Sequence, residues 1–168
     1  MGETVVNMGH YPNGQPNGNA GAENLSWIKF NVDYFKNRDG LLKLFQLFIA
    51  IICMALASPA YKGVSHFFLF VVIINFIGTV LWSFVYFLGI KDVLFLPINW
   101  ILSEFVNVVI ATMLYAAAFI MQMATWVGSN ERNAGANTIA GFFGLVNCLA
   151  YASSSYYLYL QYKFDNSN

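Results

Sequence analysis

The chain has 168 residues, of which 58% are hydrophobic and only 10% are charged. An ordinary soluble domain is about 45–50% apolar and about 25% charged, so this composition excludes a soluble globular protein. Eight basic and eight acidic residues give a formal net charge of zero. A nucleic-acid partner is excluded as well, because binding one requires a basic face that displaces counterions from phosphates.

The N-terminal part of the chain differs in composition from the rest. Residues 1–26 are rich in Asn, Gly, Pro and Gln and have few large apolar side chains. They cannot bury enough apolar surface to offset the entropy of ordering, so they are predicted to be a disordered cytoplasmic tail. In residues 27–39 apolar and polar side chains alternate, which predicts an extended segment lying in the membrane interface. Asp39, at its end, is predicted to cap the first helix.

Four long apolar runs fill the remainder of the chain. Each has at least roughly the 20 residues that cross a hydrocarbon core of about 30 Å at about 1.5 Å per residue. They predict four transmembrane helices at residues 40–60, 64–88, 98–127 and 137–160. The predicted fold class is therefore an all-α membrane protein, a four-helix transmembrane bundle of residues 40–162 with a short tail at 163–168.

The distribution of basic residues predicts the orientation of these helices. Six basic residues fall on the side of the N-terminus and two on the other side: Lys29, Lys36, Arg38, Lys43, Lys91 and Lys163 against Lys62 and Arg132. The positive-inside rule then places both termini in the cytoplasm. The connections between the predicted helices are too short to hold a folded domain, so we expect the protein to act in or beside the bilayer.

The motifs of soluble enzymes are absent from the sequence. There is no glycine-rich phosphate loop, no paired-cysteine spacing of a metal site and no catalytic trio within the predicted spans. Cys53 and Cys148 lie in the middle of the first and fourth predicted helices and are interpreted as small packing residues, with a disulfide as the alternative. We therefore expect no catalytic residue, no cofactor and no metal site.

Glu104 is an acidic residue within the third predicted span, roughly 9 Å from its start. An ionisable group in a span is a functional-site hypothesis whose partner should be named. Lys43 lies one turn into the first helix, on the same side of the membrane, and its long stem can reach a carboxylate at that depth. The structural interpretation is a Lys43–Glu104 charge pair, with Arg38 as the alternative cation.

The functional interpretation of Glu104 is a proton or cation site in a small oligomeric channel or a proton-linked carrier. The structural interpretation is preferred, because transport through spans normally requires a chain of ionisable groups and Glu104 is single. The other polar residues in the spans are interpreted as bonds between helices, worth about 0.6–2 kcal/mol each, with a polar cavity as the alternative. They are Gln46, Asn75, Asn107, Gln122 and Asn147.

Small residues recur at every fourth position of the fourth predicted helix. They form a stripe of Ala136, Ala140, Gly144, Cys148 and Ala152. A row of small side chains lets another helix approach closely. We expect the stripe to seat another helix of the same chain, and the alternative is that it joins two copies.

Short motifs at the start of the first and third spans resemble the MARVEL-domain proteins, with the plasmolipin and chemokine-like-factor branch as the nearest. They are DGLLKL at residues 39–44 and INW at residues 98–100, followed by Glu104 and Phe105. The resemblance covers roughly residues 28–163. In that family an acidic residue follows the Asn-Trp pair at the spacing of Glu104, and a basic residue in the first turn corresponds to Lys43.

The resemblance implies a non-enzymatic protein of the plasma membrane or of trafficking vesicles. Such proteins are associated with vesicle trafficking, membrane apposition, cholesterol-rich domains and cell junctions. The implied partners are membrane lipids, other membrane proteins approached laterally and further copies of the chain. This sequence lacks the extracellular cysteine pair of some junctional members, which argues against an adhesive extracellular role. The function predicted from the sequence is lateral organisation of the membrane.

Overall fold

A computed structural model of the chain describes residues 36–89, 99–165 and 167. These residues form four α-helices: α1 at Arg38–Ala57, α2 at Gly63–Phe87, α3 at Trp100–Trp126 and α4 at Ala134–Asp165. The all-α, four-helix fold class is thereby confirmed. The predicted tail, residues 27–35 of the predicted interfacial segment, and Lys91 lie outside the described residues.

The four helices pack in a ring, each against the two helices next to it in this order, with α4 returning to α1. The contact between α3 and α4 is the most extensive, and the contact between α2 and α3 is the least extensive of the four. A hydrogen bond of 2.8 Å from Gln161 Nε2 to Asp39 Oδ2 shows that α4 finishes where α1 begins. We call this the Asp39 end of the bundle, and the opposite end the Lys62 end.

Three of the helices, α1, α2 and α3, are long and apolar enough to cross a membrane. The fourth, α4, is the longest at 32 residues, and its buried side includes Asn137 and Ser154. These polar residues lower the average hydropathy of α4, although its outer side remains apolar, with Ile139 and Leu149 exposed. Because α4 lies along both α1 and α3, a bilayer that surrounds these two helices surrounds α4 as well.

The helix boundaries follow local chemistry and differ from the predicted ones by a few residues. Helix α1 ends at Ala57, before the pair Ser58-Pro59, since proline disfavours helical backbone at the preceding residue. Helix α3 is capped by Asn99, whose side chain accepts a hydrogen bond of 3.1 Å from the Leu102 amide. The predicted cap of α1 was wrong: Asn37 occupies the N-cap, and Asp39 lies inside the first turn.

The stripe of small residues on α4 is buried in its middle and exposed at its ends. Ala140, Gly144 and Cys148 are buried, whereas Ala136 and Ala152 are exposed. The reason is geometric: a step of four residues on a helix with about 3.6 residues per turn rotates by about 40°, so the row winds away from the core.

The middle of the stripe packs against helices of the same chain. A Cβ atom built on Gly144 would lie 2.8 Å from Cε2 of Phe68 on α2 and 3.2 Å from Cβ of Phe119 on α3. Phe68 is fully buried, so a displaced ring would have to move into space that other core side chains fill. The close approach of α3 to α4, and the position of the Phe68 ring across the core, therefore depend on the missing side chain at position 144.

We predict that Gly144→Ala lowers the free energy of unfolding by about 1–3 kcal/mol, because it overpacks a site that is already filled. Thermal unfolding of the purified protein in lipid nanodiscs measures the effect. The matched control is Gly135→Ala on the same helix, where a Cβ meets nothing within 4 Å. That variant should be neutral or slightly stabilising, because alanine is the better helix former. Equal losses in both variants would contradict this account.

Candidate functional site

The carboxylate of Glu104 lies inside the bundle, where side chains from two other helices bind it. Its Oε1 atom accepts a hydrogen bond from Lys43 Nζ on α1, and its Oε2 atom accepts one from the Tyr86 hydroxyl on α2. Lys43 is 4% exposed and Glu104 is 1% exposed. We call Lys43, Tyr86 and Glu104 the Glu104 cluster. Arg38, the alternative cation, is exposed at the first residue of α1.

Three helices bring these side chains to one depth near the Asp39 end. Lys43 lies in the second turn of α1, Glu104 in the second turn of α3, and Tyr86 in the last turn of α2. The Lys43 ammonium also lies 5.6 Å from the centre of the Tyr86 ring, within the range of a cation–π contact. The cluster therefore connects α1, α2 and α3 through a single carboxylate.

The sequence analysis did not identify Tyr86 as a partner of Glu104. The usable signal was depth: Tyr86 lies one residue before the end of α2, at the same end of the bundle as Lys43 and Glu104. A tyrosine at that position can direct its hydroxyl inwards to a carboxylate as readily as outwards to water.

One turn further along α1, Gln46 connects this helix to α4. Its Nε2 atom donates a hydrogen bond of 2.8 Å to Ser154 Oγ and one of 3.2 Å to the Ala150 carbonyl. Gln46 is 2% exposed, so both bonds lie in the bundle interior. Together with the Glu104 cluster, Gln46 joins all four helices near the Asp39 end.

A second buried polar cluster lies near the Lys62 end and joins α2, α3 and α4. Gln122 Nε2 donates to Asn137 Oδ1 at 2.8 Å, and Trp126 Nε1 donates to Ser65 Oγ at 3.0 Å. The Ser65 hydroxyl lies 3.3 Å from oxygen atoms of both Gln122 and Asn137. We call these four residues the Gln122 cluster. Of them, the sequence analysis singled out only Gln122 as an intramembrane polar residue.

A surface ion pair covers the Gln122 cluster at the Lys62 end. Lys62 Nζ lies 2.6 Å from Glu131 Oε1 and 4.3 Å from the centre of the Trp126 ring. Both charged side chains are partly exposed, at 32% and 54%. An exposed pair of this kind contributes at most about 1 kcal/mol, so it differs energetically from the buried pair at the other end.

Three of the five predicted intramembrane amides, those of Asn75, Asn107 and Asn147, make no hydrogen bond to another helix. Asn75 Nδ2 donates a hydrogen bond of 2.7 Å to the Val71 carbonyl of its own helix. Asn107 is exposed on the outside of the bundle. The interpretation as bonds between helices therefore describes Gln46 and Gln122, but not the other three amides.

Two stacked tyrosines in the middle of the bundle have contrasting environments. The rings of Tyr115 and Tyr151 lie 5.3 Å apart, and both residues are at most 2% exposed. The Tyr151 hydroxyl shares a hydrogen bond of 2.6 Å with Thr79. The Tyr115 hydroxyl and the side-chain amide of Asn147 are buried near each other, but neither makes a hydrogen bond of normal geometry among the described residues.

Cys53 and Cys148 are free and buried. Each sulfur atom lies near a backbone carbonyl of a neighbouring helix, at 3.8 Å from Ala140 and 3.5 Å from Thr112 respectively. The alternative of a disulfide is therefore wrong for this structure. Among residues 36–89 and 99–165, no group of three His, Cys, Asp or Glu side chains is placed to hold a metal ion.

These features define a helical membrane protein with buried polar clusters and an apolar outer surface. The family model described as the MARVEL membrane-associating domain matches residues 34–157, which is most of the chain. The chain belongs to the MARVEL family, and the resemblance seen in the sequence is confirmed at that level. No curated protein and no solved structure matches the chain.

We predict that Tyr86→Phe lowers the free energy of unfolding by about 1.5–3 kcal/mol, because it removes a hydrogen bond to a buried charged group. Thermal unfolding in nanodiscs measures this loss. Tyr156→Phe is the matched control, since Tyr156 is 61% exposed. A stability loss at Tyr156 equal to that at Tyr86 would contradict a specific role of the Tyr86 hydroxyl.

The stacked tyrosines provide a second pair of matched variants with opposite expected signs. Tyr115→Phe removes a buried hydroxyl that makes no hydrogen bond of normal geometry, so the melting temperature should stay unchanged or rise. Tyr151→Phe leaves Thr79 without its hydrogen bond and should cost about 1 kcal/mol or more. The same unfolding assay compares the two, and a larger loss in Tyr115→Phe than in Tyr151→Phe would overturn the assignment.

Proposed function

We propose that this chain is a non-enzymatic organiser of membranes that acts laterally, in vesicle trafficking, membrane apposition or the assembly of cell junctions. Its partners are lipids and other membrane proteins, and both its termini lie in the cytoplasm of a cell whose plasma membrane or vesicles it occupies. The observation that supports the proposal most directly is that the charged side chains of the Glu104 cluster are enclosed inside the bundle. The outer surface of the bundle is mainly apolar.

The outer surface is the part of the bundle that can meet partners. Large apolar side chains are exposed on all four helices, including Phe48, Phe70, Met113 and Leu149. Such a surface would be an aggregation hazard in water, but in a bilayer it contacts acyl chains and the helices of neighbouring proteins. Membership of a membrane-associating family supports the same lateral mode of action.

The environment of Glu104 favours a structural role over a transport site. Its two carboxylate oxygens are already bound, one by Lys43 and one by Tyr86. A proton or a transported cation would have to displace the Lys43 ammonium from a buried pair. Removing one partner of such a pair leaves the other charge buried and uncompensated, at a cost of about 3–5 kcal/mol.

The test is proximity labelling from the N-terminus in intact cells, comparing the wild type with Glu104→Gln at matched expression. We expect Glu104→Gln to lose surface delivery together with a defined set of neighbouring membrane proteins, because the Lys43 charge is left unpaired. Glu131→Gln is the matched control, since it makes the same chemical change in the exposed pair with Lys62. It should keep both delivery and neighbours.

A charge swap separates the structural role from the transport role. The double variant Lys43→Glu, Glu104→Lys retains an opposite-charge pair and should recover part of the lost delivery. Unchanged delivery and neighbours in Glu104→Gln would refute the structural role. Loss of an ion flux in a well-delivered Glu104→Gln protein would instead establish the channel or carrier alternative.

A further inference from the structure

A cavity at the Lys62 end of the bundle combines charged, amide and aromatic side chains in its lining. It has a volume of about 410 Å³ and is lined by Tyr61, Trp126, Glu131, Arg132 and Asn133. A smaller cavity of about 230 Å³ lies next to it, since Tyr61 and Asn133 line both. Cavities of a few hundred Å³ with a small number of polar groups are typical of sites for small organic groups.

Arg132 determines which charge this cavity attracts. The carboxylate of Glu131 is compensated by Lys62, whose Nζ atom lies 2.6 Å from it. Arg132 is exposed, and its side chain makes no hydrogen bond or ion pair within the part of the chain that the structure describes. Its planar guanidinium fits the two oxygen atoms of a phosphodiester, and the amide of Asn133 in the same lining is a further donor. The cavity therefore favours an oxyanion.

Tyr61 offers the same cavity a second kind of contact. Its side chain is 65% exposed, and an aromatic face of this kind attracts a quaternary ammonium group. A primary ammonium would instead require a hydrogen-bond acceptor, but the carboxylate of Glu131 is already paired with Lys62. The ring of Trp126 is occupied as well, because Lys62 Nζ lies 4.3 Å from its centre. The lining thus suits a zwitterion that carries an oxyanion and a quaternary ammonium group.

The position of the cavity along the bundle indicates where such a group comes from. Helix α3 has 27 residues, so it is about 40 Å long and exceeds a hydrocarbon core of about 30 Å by about 5 Å at each end when centred. Trp126, its last residue, therefore lies in the layer of lipid headgroups, which adds about 5–7 Å on each side of the core. A headgroup can enter the cavity without leaving its own layer of the bilayer.

We propose that this cavity binds the phosphocholine headgroup of a membrane lipid. The phosphodiester contacts Arg132, the trimethylammonium group lies against the ring of Tyr61, and the acyl chains extend along the apolar outer surface of the bundle. The inference rests on the proposed function, in which lipids are partners of the chain, and it adds the headgroup and the residues that select it. An anionic phosphatidylglycerol can use Arg132 but has no cation for Tyr61.

The test is native mass spectrometry of the full chain, purified in detergent and titrated with phosphatidylcholine or with phosphatidylglycerol of identical acyl chains. Arg132→Gln should weaken binding of the first molecule of either lipid about 3- to 10-fold, the equivalent of about 0.6–1.4 kcal/mol. The matched control is Arg38→Gln, which makes the same change in an exposed arginine at the Asp39 end. It should leave both affinities unchanged, and equal losses in the two variants would overturn the site.

Substitutions of Tyr61 test the choline contact separately. Tyr61→Leu should weaken phosphatidylcholine about 2- to 5-fold, the range of an exposed cation–π contact, and leave phosphatidylglycerol unchanged. Tyr61→Phe, which keeps the ring, should retain binding. Unchanged phosphatidylcholine affinity in Tyr61→Leu would refute recognition of the headgroup. Thermal unfolding in the same detergent checks that each variant is folded.

Free phosphocholine distinguishes a lipid from a soluble ligand. It lacks acyl chains to hold it at the bundle, so we expect no bound phosphocholine at concentrations that saturate the site with lipid. Equal affinity for free phosphocholine and for phosphatidylcholine would overturn the assignment to a membrane lipid. Only purified chain and lipid are present in these titrations, so their failure leaves the proximity labelling of Glu104→Gln standing, and failure of the labelling leaves the headgroup site standing.

Discussion

The charge of Glu104 is the constraint around which the bundle is built. A carboxylate away from water is tolerable only when protein groups replace its hydration, and here one ammonium and one phenol do so. These groups come from α1 and α2, so three helices must meet at one depth before the charge is compensated. Gln46 then adds α4 through Ser154. The Asp39 end of the bundle is thereby determined by polar contacts in all four helices.

Polar clusters at both ends give the bundle a defined register that apolar packing alone would not. Within a bilayer, lipid chains are as apolar as leucine, and sliding one helix past another costs little hydrophobic free energy. The Glu104 cluster and the Gln122 cluster lie at opposite ends and together include residues of all four helices. A shift of any helix by one turn would break hydrogen bonds in at least one cluster. The interior is thus specified by polar contacts, which leaves the exterior to be selected for lipids and partners.

The sequence predicts the four helices and the Lys43–Glu104 pair, but it does not predict the other partners in the polar clusters, and the reason can be identified. Run length and composition predict four helices, and the depth of Lys43 and Glu104 along their helices suggests the pair. The rotation of each helix about its axis is what the sequence leaves open, because a span that is apolar all round has no face that must turn inwards. Hence Tyr86 and Ser65 were missed as polar partners. The stripe on α4 is continuous in the sequence, although the helix repeat turns Ala136 and Ala152 outwards.

The direction in which each amide points then distinguishes two kinds of polar residue that look alike in the sequence. Asn147 is fully buried, so its unpaired amide lowers the free energy of unfolding of the bundle itself. Asn107 lies on the outside of the bundle, so its amide faces the molecules that surround the bundle in the bilayer. The same residue type therefore has a different environment in the two positions, and only the rotation of each helix about its axis decides which one applies.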